Sequence, residues 1–148
     1  MQTYRSNKEK VVSEVFADVF EKYDIMNDLM SLGIHRLWKQ RLIEWMNPKK
    51  NDHLIDVATG TGDIASAFLK RIKNQGFVTC VDPNKLMIEQ GKKKLKDLNA
   101  IKWEVSSAEK LPYKDNTFDI YSVSFGVRNF SNTKVALKEA QRVLKRGG

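Results

Sequence analysis

The feature that most constrains the fold is a short apolar run that ends in two glycines and leads into a helical pattern. Residues 53–58 are mostly apolar, which is typical of a buried strand, and Gly60 and Gly62 follow at once. Helical periodicity then continues to about residue 73. Glycines at a strand-to-helix turn let the backbone approach a ligand closely. The pattern therefore predicts a βα unit with a binding turn at the carboxyl end of its strand.

The same alternation continues along the chain. Three more strands are predicted at 77–81, 101–105 and 118–124, with helices at 85–98 and 132–145. Strands that alternate with helices of this length predict βαβ units and a parallel sheet with helices on both faces. Asn84 is a candidate cap for the first of these helices. Candidate buried positions in the second are Val135, Leu137, Ala140, Val143 and Leu144.

The first 50 residues follow a different pattern. Apolar residues at helical spacing cover 9–23 and 35–46, and Asn47-Pro48 ends the second stretch, because the residue before a proline disfavours the helical conformation. We therefore divide the chain into a helical amino-terminal cap at 1–50 and a ligand-binding α/β domain at 51–148. The predicted sheet is small, and its edge after the fourth strand is open, which favours pairing of two copies.

Composition excludes several classes of protein. Cys80 is the only cysteine, so no intramolecular disulfide can form, and the two histidines are too few for a His/Cys metal cluster. The longest uncharged runs are far shorter than the about 20 residues of a membrane-spanning helix. The net charge of +8 suits nucleic acid, an anionic membrane surface or simply a solvated basic surface. The lysines at 92, 93, 94 and 96 have no aromatic residue among them, which disfavours nucleic acid.

Two carboxylates indicate which ligand the glycine turn binds. Asp82 ends the second strand, 20 residues after Gly62, where an acid can accept hydrogen bonds from both ribose hydroxyls of an adenosine cofactor. The glycines alone also satisfy a dinucleotide fingerprint, and a plain tight turn is a further reading. Asp56 favours S-adenosylmethionine over NAD, because a carboxylate there can order the network around the cofactor's ammonium group, whereas it would repel a pyrophosphate.

At this point the sequence shows a resemblance. Residues 56–62 with Asp82, 108–112 and 115–119 resemble class I methyltransferases of the Rossmann-like α/β fold. The motifs at 23–38, 124–129 and 142–148 are more specific, and they resemble the quinone-biosynthesis C-methyltransferases. That family makes ubiquinone and menaquinone by methylating 2-polyprenyl-6-methoxy-1,4-benzoquinol or demethylmenaquinol. Its members continue beyond residue 148 with further strands, so the resemblance implies an incomplete parallel sheet behind an amino-terminal helical cap.

The resemblance also implies roles for individual residues. In the cofactor site, Thr61 lies beside the methionine part and Asp82 binds the ribose. Ser107 and Ala108 lie on the adenine side, and Ser124 closes the pocket at the end of the fourth strand. No metal is implied.

Three further residues are candidates for handling the substrate. Arg128 is expected to stabilise a phenolate, with a surface salt bridge as the alternative, and its pKa is too high for it to be the base. Asn129 is expected to orient the ring oxygens, and Tyr23 to close over the quinol or to hydrogen-bond it.

Other functions remain open at this point. One is methylation of another small molecule or of RNA, and another is a non-catalytic fragment that binds the cofactor. The resemblance implies a polyprenylated quinol as substrate, contact with a membrane surface and no nucleic acid. It places the protein in the cytoplasm of a bacterium or, in a eukaryote, in the mitochondrial matrix.

Overall fold

The computed structural model describes residues 33–148. Tyr23, the predicted helix at 9–23 and most of the predicted cap lie outside the described residues. The chain divides into two compact units, Met1–Arg41 and Leu42–Gly148. Strands and helices follow the predicted order, with no helix between the third and fourth strands. The elements in chain order are α1 (Ile34–Met46), β1 (His53–Val57), α2 (Asp63–Arg71), β2 (Phe77–Asp82), α3 (Lys85–Lys94), β3 (Ile101–Val105), β4 (Ile120–Val123), a 3-10 turn (Val127–Asn129) and α4 (Thr133–Val143).

The four strands form one sheet in the order β3-β2-β1-β4, and every neighbouring pair is parallel. The chain thus builds outward from β1 to β2 and β3, and then returns to the other side of β1 to add β4. In open parallel sheets, ligands bind outside the carboxyl ends of the strands at the point where the strand order reverses. Here that point lies between β1 and β4.

Each face of the sheet carries its own apolar core, because successive strand residues point to opposite faces. On one face, Leu54 and Val78 pack against Phe68 and Leu69 of α2. On the other face, the buried residues come from β1 and β2, from the segment between β3 and β4, and from α4: Ile55, Val57, Val81, Ala108, Leu111, Phe118, Ala136 and Val143. The predicted parallel sheet with a helix packed on either face is confirmed.

Helix α4 confirms part of the predicted buried stripe, since Ala140 and Val143 are buried as predicted. Ala136, Ala140 and Val143 are buried at a spacing of four and then three residues, which is one face of a helix. Val135 and Leu137 were predicted to be buried and are instead 40% and 58% exposed, so the prediction was wrong for both. Ala136 and Val143 pack into the core on this side of the sheet, and Leu137 lies on a different side of the helix.

Helix α3 begins as predicted, with the Asn84 side chain accepting hydrogen bonds from the backbone N–H groups of Leu86 and Met87. It ends at Lys94 rather than near residue 98. Leu95 leaves the helical conformation with φ −111°, and its side chain lies close to Gly62. Among residues 33–148, no helix combines the length and the apolar character needed to cross a bilayer.

Candidate cofactor and active site

The turn after β1 is held in a left-handed backbone conformation. Ala58, Gly60 and Gly62 have φ values of 54°, 59° and 84°. The positive φ favours glycine at both 60 and 62, but the surroundings of the two residues differ. A Cβ added to Gly60 would meet nothing within 4 Å, so the turn faces open space there. A Cβ added to Gly62 would lie 2.7 Å from the indole of Trp103, so Gly62 is required for packing. The turn is therefore open to a ligand on one side and closely packed on the other.

Asp82 is bound directly to this turn. Its Oδ2 accepts a hydrogen bond from the backbone N–H of Gly60 at 2.9 Å, and its Oδ1 accepts one from the N–H of Asn84 at 2.8 Å. A carboxylate oxygen can accept more than one hydrogen bond. Each oxygen therefore keeps capacity for a ribose hydroxyl, and the open space at Gly60 lies beside it. These features fit the adenosine cofactor that the sequence predicts.

The Asp56 carboxylate is enclosed by two hydroxyl groups of the protein. It is 1% exposed, and its two oxygens accept hydrogen bonds from Thr59 Oγ1 and Ser122 Oγ, both at 2.6 Å. Burial raises the pKa of Asp56 to about 6, and the two hydroxyl donors oppose that rise. Because the carboxylate is enclosed, it orders the glycine turn through Thr59. Its predicted role near the cofactor's ammonium stays a prediction.

The segment after β3 begins beside Asp82. The backbone N–H of Ser106 donates to the carbonyl of Asp82 at 3.2 Å. Ser107 follows and its carbonyl accepts from the N–H of Lys110, while the Ala108 side chain is buried in the core. The backbone of this segment, rather than the Ala108 side chain, is thus available to the edge of an adenine ring. The predicted adenine side lies next to the predicted ribose site.

The segment after β4 reaches the turn after β1. Ser124 is half-buried at the end of the strand, and Phe125 has φ 61°. Gly126 packs so closely on Ala58 that an added Cβ would overlap the Ala58 side chain. Non-glycine residues in the left-handed region cost about 1–3 kcal/mol each and cluster at functional sites. Ala58 and Phe125 lie in that region on adjacent strand ends.

Arg128 and Asn129 follow in the 3-10 turn, and both are exposed. The turn belongs to the same carboxyl edge of the sheet as the glycine turn, as the sequence predicts. Their chemical roles, and that of Tyr23 outside the described residues, stay predictions. Within the described part of the chain, no group of three or more His, Cys, Asp or Glu side chains is arranged to hold a metal ion.

The sequence did not predict that groups of β3 and α3 support the glycine turn. Trp103 of β3 packs against both Gly62 and Gly91, and Lys94 hydrogen-bonds Thr61. One signal was available, since a glycine inside a helical pattern indicates a close approach. Gly91 interrupts the lysine-rich pattern of α3 in that way.

Solved structures share this architecture. The YcgJ protein from Bacillus subtilis matches with a TM-score of 0.67 and 27% identity, covering 72% of this chain and 45% of that protein. An S-adenosylmethionine-dependent methyltransferase from Aquifex aeolicus matches with a TM-score of 0.66 and 25% identity, covering 72% and 58%. The parallel sheet, the glycine turn and the acid at the end of β2 define the class I S-adenosylmethionine-dependent methyltransferase fold.

The family follows from sequence comparison. The model of the ubiE/COQ5 methyltransferase family matches residues 3–148, and the chain belongs to that family. The ubiquinone/menaquinone biosynthesis C-methyltransferase UbiE of Rickettsia akari is 48% identical over 146 residues. The UbiE protein of Ruegeria sp. is 48% identical over 140 residues. The two matches cover 95% and 93% of this chain. The chain spans only 58% and 56% of the length of the two relatives.

Proposed function

We propose that the protein takes part in C-methylation of a polyprenylated quinol, with S-adenosylmethionine as methyl donor, in ubiquinone or menaquinone biosynthesis. The expected substrates are 2-polyprenyl-6-methoxy-1,4-benzoquinol and demethylmenaquinol. One observation carries the proposal: the Gly60 turn, hydrogen-bonded to Asp82, lies at the same sheet edge as the Arg128 turn. The names of the UbiE relatives support the quinone as substrate class.

The chain's own groups account for most of what such a reaction needs. When bound, S-adenosylmethionine supplies a methyl group on a positively charged sulfur. Asp82 holds the ribose, and the glycine turn admits the rest of the cofactor without side-chain obstruction. Arg128 lies where it can stabilise a phenolate, which makes the adjacent ring carbon electron-rich. Asn129 orients the ring oxygens. Alignment of the quinol with the methyl group lowers the activation barrier further.

The proposal is tested with reduced short-tailed quinols. The protein is incubated with S-adenosylmethionine and each quinol, and mass spectrometry follows the gain of one methyl group. Arg128→Met is expected to lower kcat by about 100-fold, since one stabilising group is removed from the site of developing charge. Arg128→Lys keeps the charge and is expected to retain part of the activity. Cofactor binding without methyl transfer to any quinol would favour the non-catalytic alternative.

The cofactor assignment has its own test. Asp82→Ala is expected to abolish detectable binding of S-adenosylmethionine in calorimetry. Because Asp82 also anchors the N–H groups of Gly60 and Asn84, Asp82→Asn is measured beside it as the closest variant in shape. Thermal unfolding of both variants is the control for a retained fold. Unchanged affinity in both would contradict the ribose contact.

We further propose that the protein works at a membrane surface, in the cytoplasm of a bacterium or in the mitochondrial matrix, and does not bind nucleic acid. The net charge of +8 and the apolar tail of the expected substrate support this. We also propose that two copies pair, because β3 is an edge strand of the described sheet and an exposed edge can pair with another chain. Sedimentation with anionic and with neutral vesicles tests the first point, and light scattering tests the second.

A further inference from the structure

The carboxylate of Glu109 joins two segments that belong to different parts of the site. Glu109 lies in the segment after β3, two residues beyond Ser107, which is predicted on the adenine side of the cofactor. Its Oε1 accepts a hydrogen bond from the backbone N–H of Asn132 at 3.1 Å. Asn132 caps α4 and follows closely after the 3-10 turn that carries Arg128 and Asn129. One side chain therefore connects the predicted adenine side with the predicted substrate side.

Donors from both segments point at this carboxylate. The backbone N–H of Asn132 lowers the pKa of Glu109 most, and the N–H of Ser131 and the hydroxyl of Ser107 lower it further, although burial opposes them. Hydrogen bonds to the charged form favour ionisation, so the group is a carboxylate at neutral pH. Because its donors come from both sides, the charged group is held between the two segments.

The substrate segment is fixed at its other end by the glycine turn. Gly126, which precedes the 3-10 turn, packs so closely on Ala58 that no Cβ fits between them. The backbone N–H of Asn129 then donates to the carbonyl of Gly126 at 3.0 Å. Residues 126–132 thus begin against the glycine turn and end on Glu109. Both ends contact segments that are expected to bind the cofactor.

We propose that Glu109 is a positioning residue that couples binding of the cofactor to binding of the quinol. Contact of the cofactor with the backbone at Ser107 favours the arrangement in which Glu109 holds Asn132. The same arrangement places the turn with Arg128 for the substrate. One ligand changes the affinity for another only by favouring an arrangement that both prefer. The inference rests on the proposed function, and it adds that the two ligands bind cooperatively.

Calorimetry with two ligands measures this coupling. S-adenosylhomocysteine, which has no methyl group to transfer, replaces the cofactor, and a reduced short-tailed demethylmenaquinol is the second ligand. In the wild type we expect S-adenosylhomocysteine to lower the Kd of the quinol by about tenfold. In Glu109→Ala we expect a factor of about two or less, because the bond to Asn132 is lost. Linkage requires the same factor for the effect of the quinol on S-adenosylhomocysteine, so either direction measures it.

Two further variants serve as comparisons. Glu109→Gln keeps an acceptor oxygen of similar reach and is expected to give a factor between those two values. Glu89→Ala is the matched control, because it removes a carboxylate from an exposed position of α3 and should leave the wild-type factor unchanged.

The coupling factor separates positioning from a purely structural role, which would weaken the quinol equally with and without S-adenosylhomocysteine. A wild-type factor that persists in Glu109→Ala overturns the inference, even if Tm falls. Independent binding of the two ligands to the wild type overturns it as well, while the proposed function stands. A wild type that binds no quinol under either condition contradicts the proposed function itself, and the inference with it.

Discussion

Gly126 packs against Ala58 closely enough that no side chain fits between the segment after β4 and the turn after β1. The two segments lie on adjacent parallel strands and carry the predicted substrate-binding and cofactor-binding residues. The contact therefore fixes the distance between the two halves of the site.

Substitution of Gly126 by alanine tests this contact. Gly126 has φ −89°, which any residue adopts, so replacement by alanine would ordinarily stabilise the chain slightly. Here we expect destabilisation by about 1–3 kcal/mol, because the new Cβ overlaps Ala58. Adding Ala58→Gly removes the overlapping methyl group and relieves the left-handed φ of 54°, and is expected to restore stability. Urea unfolding measures both. A stable Gly126→Ala single variant would contradict the packing argument.

Gly91→Ala gives a second case in which a normally favourable change is expected to be harmful. In the interior of a helix this substitution is usually worth about 1 kcal/mol of added stability. The added Cβ would instead overlap the six-membered ring of Trp103, and we expect a lower Tm. Trp103→Phe in the same chain removes the overlapping ring atoms. The double variant should therefore lie above Gly91→Ala in Tm, although it loses part of the indole packing.

The free energy of unfolding should depend on pH through the titration of Asp56. Its pKa is raised by burial from 3.8 to about 6, so between these values the folded protein holds a proton that the unfolded chain releases. The stability that this group contributes is complete below about pH 4 and is lost as the pH rises through about 6. Two pKa units correspond to roughly 3 kcal/mol. Asp56→Asn removes the dependence.

The measurement is a difference between wild type and Asp56→Asn in urea unfolding from pH 4 to 7. The carboxylates of Glu109, Asp119 and Glu139 have lowered pKa values, so they act in the opposite direction and cancel in that difference. The pKa of Glu139, for example, is lowered by its hydrogen bonds with Arg142, so its contribution is present at neutral pH and is lost as the pH falls. Parallel curves for the two proteins would show that Asp56 titrates normally.

Arg142 holds the segment between β3 and β4 against α4. Its guanidinium donates to both carboxylate oxygens of Glu139, at 2.7 and 2.8 Å, and to the carbonyls of Leu111 and Tyr113, at 3.1 and 2.7 Å. We expect Arg142→Lys to cost about 2 kcal/mol in urea unfolding, because an ammonium group cannot make this fork of bonds. Lys138→Arg, at an exposed site on the same helix, is the control and should change little.

Much of the fold and part of the site could be predicted from local sequence. The glycine turn, the Asn84 cap and the acid at the end of β2 each depend on residues a few positions apart, and all lie where the pattern indicates. The helix bounds were less accurate. The helix α3 ends at Lys94, and the next residue, Leu95, packs near Gly62, which is more than 30 positions away. No local pattern indicates such a contact.

The sequence by itself determined the order of strands and helices, the binding turn and the family. Periodicity, caps and motifs depend on residues that are close together along the chain, so they can be recognised without the structure. Only the tertiary structure decided that β4 lies beside β1, that Asp56 is enclosed by Thr59 and Ser122, and that Lys94 and Trp103 support the turn. These relations join residues that are distant along the chain, and burial and charge compensation arise only when packing has excluded water between them.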